Sequence, residues 1–225
     1  MRMRRHLSPR ERVVASLVGL STVSTGLYIA GAIANHSLQF DYLLWNLFLA
    51  WLPFLVMVVL LRSLHTYLWS DWWPLCLTLV WLLLLPNTFY MISDFVHVQD
   101  VVRSSLLYDV VMFTSCIFTA VLLGFSSLYM VHAELHRRLG IRRSSVLIGI
   151  ILFLCSFAIY LGRDLRWNSW DVLLNPAGIL FDVSDRLIHP LQSGAMFTTT
   201  VSFFVLLGSL YVVGWQLGET TRQKL

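Results

Sequence analysis

Two short strings carry most of the residues in this chain that can do chemistry. In LPNTFYMISDFVHVQD, residues 85–100, Asp94 and His97 stand three positions apart, close to one helical turn. Such a pair can act as a base with its orienting partner, or lend two ligands to a divalent metal. In YLGRDLRWNSWD, residues 160–171, Arg163 and Arg166 repeat the same spacing and would share a face of a continuing helix. Two guanidiniums on one face suit a phosphate or a carboxylate. They equally suit Asp94, Asp109 or Asp171, because a buried arginine needs a carboxylate in any case. Trp167 and Trp170 read either as anchors in a membrane interface or as rings that stack on a ligand. Asn168 and Asp171 read either as a helix cap or as polar contacts of a site.

The elements that must hold these residues are made for lipid. Of 225 residues 57% are hydrophobic and 12% charged, with a mean hydropathy of +0.72. Soluble domains carry about 25% charged residues. Six apolar runs, 13–34, 42–61, 72–92, 106–131, 144–161 and 193–215, are close to the length a bilayer demands. They predict an all-α polytopic bundle, a single integral membrane domain over 1–225, with no soluble domain left over. The run at 13–34 exceeds the apolar core of an ordinary signal peptide, so it reads as a retained anchor.

The net charge of +4 does not point to nucleic acid, because of how it is distributed. With six spans, Arg2, Arg4, Arg5, Arg10, Arg12, Arg62, Arg137, Arg138, Arg142, Arg143, Arg222 and Lys224 fall on one side, whose net charge is +8. The other side, with Arg103, Arg163, Arg166 and Arg186 against eight aspartates, comes to −4. Basic residues stay in the cytoplasm. Both termini are therefore expected inside a cell (inner or plasma) membrane. Tyr28, Tyr42, Tyr90, Tyr108 and Tyr160 fall at the outer ends of the spans in this frame, and Trp72, Trp73, Tyr211 and Trp215 at the inner ends. That is the expected aromatic belt.

Depth then selects the candidate site. Asn46, Asn87, Asp94, His97, Asp109 and Arg163 all fall toward the outer ends, whereas the middle of the spans offers only Ser, Thr, Cys and Gly as polar residues. An ionisable group at membrane depth costs about 2.5–3.5 kcal/mol and normally faces a partner or a watery cavity. The expectation is one outward-facing polar pocket, lidded by an interfacial segment at 162–192. Within that segment Asn175-Pro176 suits the cap and first turn of a helix. Ile179, Leu180, Val183 and Leu187 would form its apolar face, with Asp182, Asp185 and Arg186 opposite. The candidate catalytic residues are Asp94, His97 and Asp109. The candidate ligand contacts are Asn87, Arg163, Arg166, Trp167, Asn168, Trp170 and Asp171. A metal, the one cofactor considered, would sit on Asp94, His97 and His189.

Other features read as structural. His132 and His136, one turn apart among arginines, suit a solvated or headgroup-facing helix end. The small residues Thr22, Gly26, Ala30 and Ala34, and Gly194, Thr198, Ser202, Gly214 and Gly218, suit close packing between helices of the bundle. Cys76, Cys116 and Cys155 lie inside spans, where a thiol behaves as a small apolar group. No nucleotide loop, CxxC pair or HExxH motif is present.

Together LPNTFYMISDFVH and YLGRDLRWNSWD, with WNLFLAWLPF at 45–54 and YDVVMF at 108–113, resemble the marker segments of an uncharacterised prokaryotic membrane-protein family, domain-of-unknown-function family 1361. The resemblance implies a multi-spanning membrane protein and brings no activity with it. Three functions fit these residues. One is binding or transport of an anionic or lipid-like ligand, and a second is a membrane-embedded hydrolase or transferase. The third is an assembly role beside another membrane protein. Membrane lipids are the expected surroundings in every case.

Overall fold

The computed structural model describes residues 8–100, 106–167, 171–189 and 194–223. The elements run α1 Pro9–Asn35, α2 Tyr42–Ser63, α3 Trp72–Leu84, α4 Pro86–Tyr90, a 3₁₀ segment Met91–Asp100, α5 Leu106–Leu139, α6 Ile141–Asp164, α7 Asp171–Leu174, α8 Pro176–Ile188 and α9 Gly194–Gln223. No strand occurs among the described residues. Six stretches are long and apolar enough to cross a membrane: 11–35, 42–63, 72–98, 106–139, 141–164 and 194–220. This is a multi-pass membrane protein, and six crossings put both chain ends at one face, called here the terminal face. The opposite one is the distal face.

The helices outrun the apolar strings that predict them. α5 continues through HAELHRRL to Leu139, well past residue 131. A helix of 34 residues is about 51 Å long at 1.5 Å per residue. It therefore overshoots the hydrocarbon. Its polar end is held locally, since Glu134 accepts from Arg137 at 2.7 Å and from Arg138 at 2.6 Å. At the other extreme, α1 opens on a capping box: Ser8 Oγ accepts from the Glu11 amide and Glu11 accepts from the Ser8 amide, with Pro9 in the first turn.

The third span is not one helix. Pro86 has no N–H to continue the ladder of α3, so the chain restarts as α4. It then tightens into ten residues of 3₁₀ helix, a long run for that geometry. With three residues per turn, Met91, Asp94 and His97 eclipse one another on one side. Met91 and Asp94 are buried there, while Phe95 and Val96 face outward.

α5 is the axis of the bundle and packs on α1, α2, α4, α6 and the 3₁₀ segment. Its Met112, Phe113, Cys116, Ala120 and Leu123 meet Leu43, Ala50 and Met57 of α2 and Phe89 of α4 in the core. α2 is apolar all round, so burial there follows the neighbours rather than the sequence pattern. Hydroxyls fasten the mid-membrane contacts: Ser24 Oγ lies 2.7 Å from Ser115 Oγ and 2.9 Å from Thr119 Oγ1. Trp81 Nε1 donates to Ser127 Oγ at 2.8 Å. Such bonds are worth roughly 0.6 kcal/mol each in a bilayer.

The stripes of small residues correct an expectation. A Cβ placed on Gly26, Gly194 or Gly214 would meet nothing within 4 Å, so these faces look out of the bundle. Only Gly218 of those named is packed, against Tyr129. The inner face of α1 is instead Leu17, Ser24 and Tyr28. Periodicity located a face of small residues but carries no sign for inside or outside.

Candidate functional site

At the distal face three broken or ending helices bring their polar residues together. Asn46, in the second turn of α2, donates its Nδ2–H to Asp94 Oδ2 at 2.9 Å. Asp94 is 2% exposed. Its other oxygen lies 3.9 Å from Arg163 Nη1, near the end of α6. Both terminal nitrogens of Arg163 lie 3.2 Å from His97 Nε2. A guanidinium only donates, so Nε2 accepts and the ring proton belongs on Nδ1. Tyr42, at the start of α2, sets its ring edge-on to His97 with centroids 5.4 Å apart. Asp94, His97 and Arg163 thus form one cluster, as their depth predicted, with Asn46 and Tyr42 completing it.

The remaining candidates lie on other elements. Asp109 is buried in the first turn of α5, the helix that packs along the 3₁₀ segment. Asn87 is half-buried in α4, which packs on α6. Asp171 opens α7. Asn168 and Trp170 lie outside the described residues.

Arg166 departs from expectation. α6 stops at Asp164, and Arg166 adopts a left-handed backbone with φ +58°, so it does not continue the helical face of Arg163. For a residue with a Cβ that conformation costs roughly 1–2 kcal/mol. The Trp167 amide turns back to the Leu161 carbonyl at 3.1 Å and closes the helix end. The Arg166 side chain is left exposed beside that turn.

Trp167 is not a free anchor. Its Nε1 donates to Asp182 Oδ2 at 2.8 Å, and its ring lies so close to Gly178 that a Cβ there would meet it at 2.9 Å. Arg186 Nε donates to Tyr160 Oη at 2.8 Å, and Arg186 Nη1 to the Asp182 carbonyl at 2.9 Å. α8 is therefore fastened over the end of α6 by its polar side. Asp182 and Arg186 turn inward, while Leu180, Phe181 and Ile188 are 65–73% exposed. Of the apolar face expected on α8, Leu180 is exposed, whereas Ile179 and Val183 are half-buried. The Asn175 cap is as expected, its Oδ1 accepting from the Gly178 amide at 3.1 Å. Asp182, Arg186, Tyr160 and Tyr42 were passed over as site residues because nothing in their spacing links them to Arg163.

The metal set is not assembled. Among the described residues no three of His, Cys, Asp and Glu come together as ligands. His189 lies past α8, more than half exposed, with Asp185 at 3.9 Å. His97 turns Nε2 to a guanidinium, which occupies the place a cation would take.

Chemically, the cluster is a carboxylate closed off from solvent next to an arginine that is not. Arg163 is 27% exposed and, among the described residues, hydrogen-bonds only to the two-coordinate nitrogen of His97. Of its five N–H groups, three have no acceptor within hydrogen-bond range among the described residues.

A family model described as protein of unknown function (DUF1361) matches residues 45–208, from the α2 polar turn to the middle of α9, well over half of the chain. The chain belongs to this family. Both strings that carry the cluster lie inside the match, so the DUF1361 region contains the whole Asn46–Asp94–His97–Arg163 arrangement. No curated protein and no solved structure matches the chain.

Proposed function

We propose that this DUF1361 protein binds the anionic group of a small molecule or lipid headgroup at its distal face, on Arg163 and Arg166. Asn87, Trp167 and Asp171 would line the approach. The membrane is a prokaryotic cell membrane with both termini in the cytoplasm, a placement supported by the +8 and −4 division of charge. One observation carries the reading. Arg163 is held in place by His97 and a carboxylate too distant for a hydrogen bond, yet keeps donors and exposure for a further acceptor. A guanidinium used only to fasten helices would be expected to dock bidentate on its carboxylate. A phosphate or carboxylate completes the set, and the exposed Arg166 supplies a second charge.

The fastening role is the second reading, favoured by the 2.9 Å bond from Asn46 to a carboxylate that solvent hardly reaches. The two divide between the partners: Asp94 ties α2 to the 3₁₀ segment, and Arg163 faces the ligand.

The test is native mass spectrometry of the purified protein in detergent, titrated with phosphatidylglycerol, phosphatidylcholine and inorganic phosphate. The anionic lipid or phosphate should bind at least tenfold tighter than the zwitterionic lipid, about 1.4 kcal/mol. Arg163→Gln with Arg166→Gln should remove that preference in a protein that still folds, less stable only by the roughly 1–2 kcal/mol of the lost ion pair. Equal retention of all three probes by both proteins refutes ligand binding; a variant that no longer folds assigns Arg163 to fastening alone.

A further inference from the structure

The terminal face holds a second cluster, which the distal site does not use. His132 was expected at a solvated helix end, but it is 3% exposed. Its ring stacks on Trp215 of α9 with centroids 3.8 Å apart, and its Nδ1 lies 2.9 Å from Tyr211 Oη. His136, one turn on, sets its ring at 29° to the same indole with centroids 6.2 Å apart. His132 Nε2 and His136 Nδ1 are both closed to solvent, and neither has a hydrogen-bond partner. Nor do they bond each other.

A buried ring nitrogen left without a partner costs roughly 1–3 kcal/mol. Two of them, on residues one turn apart on one helix, call for a group that bridges both. Tyr211 Oη can accept the Nδ1–H of His132, which leaves Nε2 as a lone pair. A fixed partner on the far ring nitrogen is the usual support of a metal-bound histidine. We infer that His132 and His136 bind a single copper(I) ion at the terminal face.

The donor set selects the ion. Imidazole nitrogen suits copper and zinc. Zinc wants four donors, and its positive charge wants carboxylates. Here the carboxylate on the same turn of α5, Glu134, is spent on Arg137 and Arg138. Copper(I) carries a single charge, is satisfied by two nitrogens and gains from an aromatic face beside it, which Trp215 supplies.

The experiment uses the full chain in detergent under anaerobic conditions, with copper(I) supplied from a chromophoric chelator and tryptophan emission followed in parallel. The wild type should take up one equivalent and quench Trp215. His136→Gln, at a half-exposed position, should weaken uptake at least tenfold, about 1.4 kcal/mol, with its melting temperature unchanged. His97→Gln and His189→Gln should bind as the wild type does. Uptake below about a fifth of an equivalent by the folded wild type overturns the site. So does wild-type affinity in His136→Gln, or stoichiometric zinc at the pair without copper(I). Low uptake leaves a bridging water as the occupant, and stoichiometric zinc makes zinc the occupant instead.

Discussion

Replacing Asp94 by Asn should make the protein less stable and its distal face a better anion binder. The substitution keeps the shape of the side chain and leaves Asn46 a partner, so it removes little except the charge. Opposite charges 3.9 Å apart attract by about 4 kcal/mol at an effective dielectric of 20. Arg163 is 27% exposed, and screening brings the usable part down to about 1–2 kcal/mol. Arg163→Gln should lose a similar amount. The double variant should fall short of the sum of the two by about 1–2 kcal/mol, because the second change finds its partner already gone. Equilibrium unfolding in mixed detergent micelles measures the cycle. The same charge competes with any bound anion for the guanidinium. Asp94→Asn should therefore tighten phosphate or anionic-lipid binding by roughly three- to tenfold, worth about 0.7–1.4 kcal/mol. A fully additive cycle would show that the two groups do not interact. Weaker anion binding in Asp94→Asn would show that Asp94 is a ligand contact rather than a competitor, and the division of roles drawn above would be lost.

Pro86→Ala permits α3 to run on as an ordinary helix. The Asp94–Arg163 coupling measured in that background should fall below about 0.5 kcal/mol, the level of independent sites. Gly124→Ala drives a methyl into Thr88 Oγ1 and the Phe89 ring, the latter at 2.9 Å, and should cost about 1–3 kcal/mol in the unfolding assay. Gly26→Ala, in open space, should cost nothing there. Trp81→Phe removes the indole donor to Ser127 and should lose about 0.6 kcal/mol from that bond, plus the packing of the smaller ring. Asn175→Ala uncaps α8 by about 1 kcal/mol, which should appear as faster amide exchange confined to residues 176–188.

What was legible in the sequence follows from whether a property is local. Lipid solvation acts residue by residue, so the six crossings and the gathering of Asp94, His97 and Arg163 at one end can be read from composition and depth. The Asn175-Pro176 cap is local too. The direction of a face is not local. Gly26 and Ser24 are both small, and only the position of Ser115 and Thr119 on α5 decides that Ser24 turns inward. His132 is buried because Tyr211 and Trp215, some eighty positions later, close over it. Arg166 leaves the face of Arg163 through one left-handed residue, a conformation its sequence does not announce.

The break at Pro86 and the distal cluster are best understood as one feature. Residues three apart in an α-helix point about 60° apart, whereas in a 3₁₀ helix they align. Only the tighter winding turns both Asp94 and His97 to the same neighbour, so that one guanidinium can meet the imidazole at 3.2 Å and the carboxylate at 3.9 Å. Irregular backbone at membrane depth is tolerated where protein covers it. Here α5 packs along the segment, and Asn46 of α2 reaches it by hydrogen bond. The hydrogen-bond strain of ten 3₁₀ residues is thus exchanged for a fixed register between three helices. A span that needed only to cross the bilayer would gain nothing from that exchange. It makes sense for a span whose last turns must hold an arginine in a set direction with donors to spare.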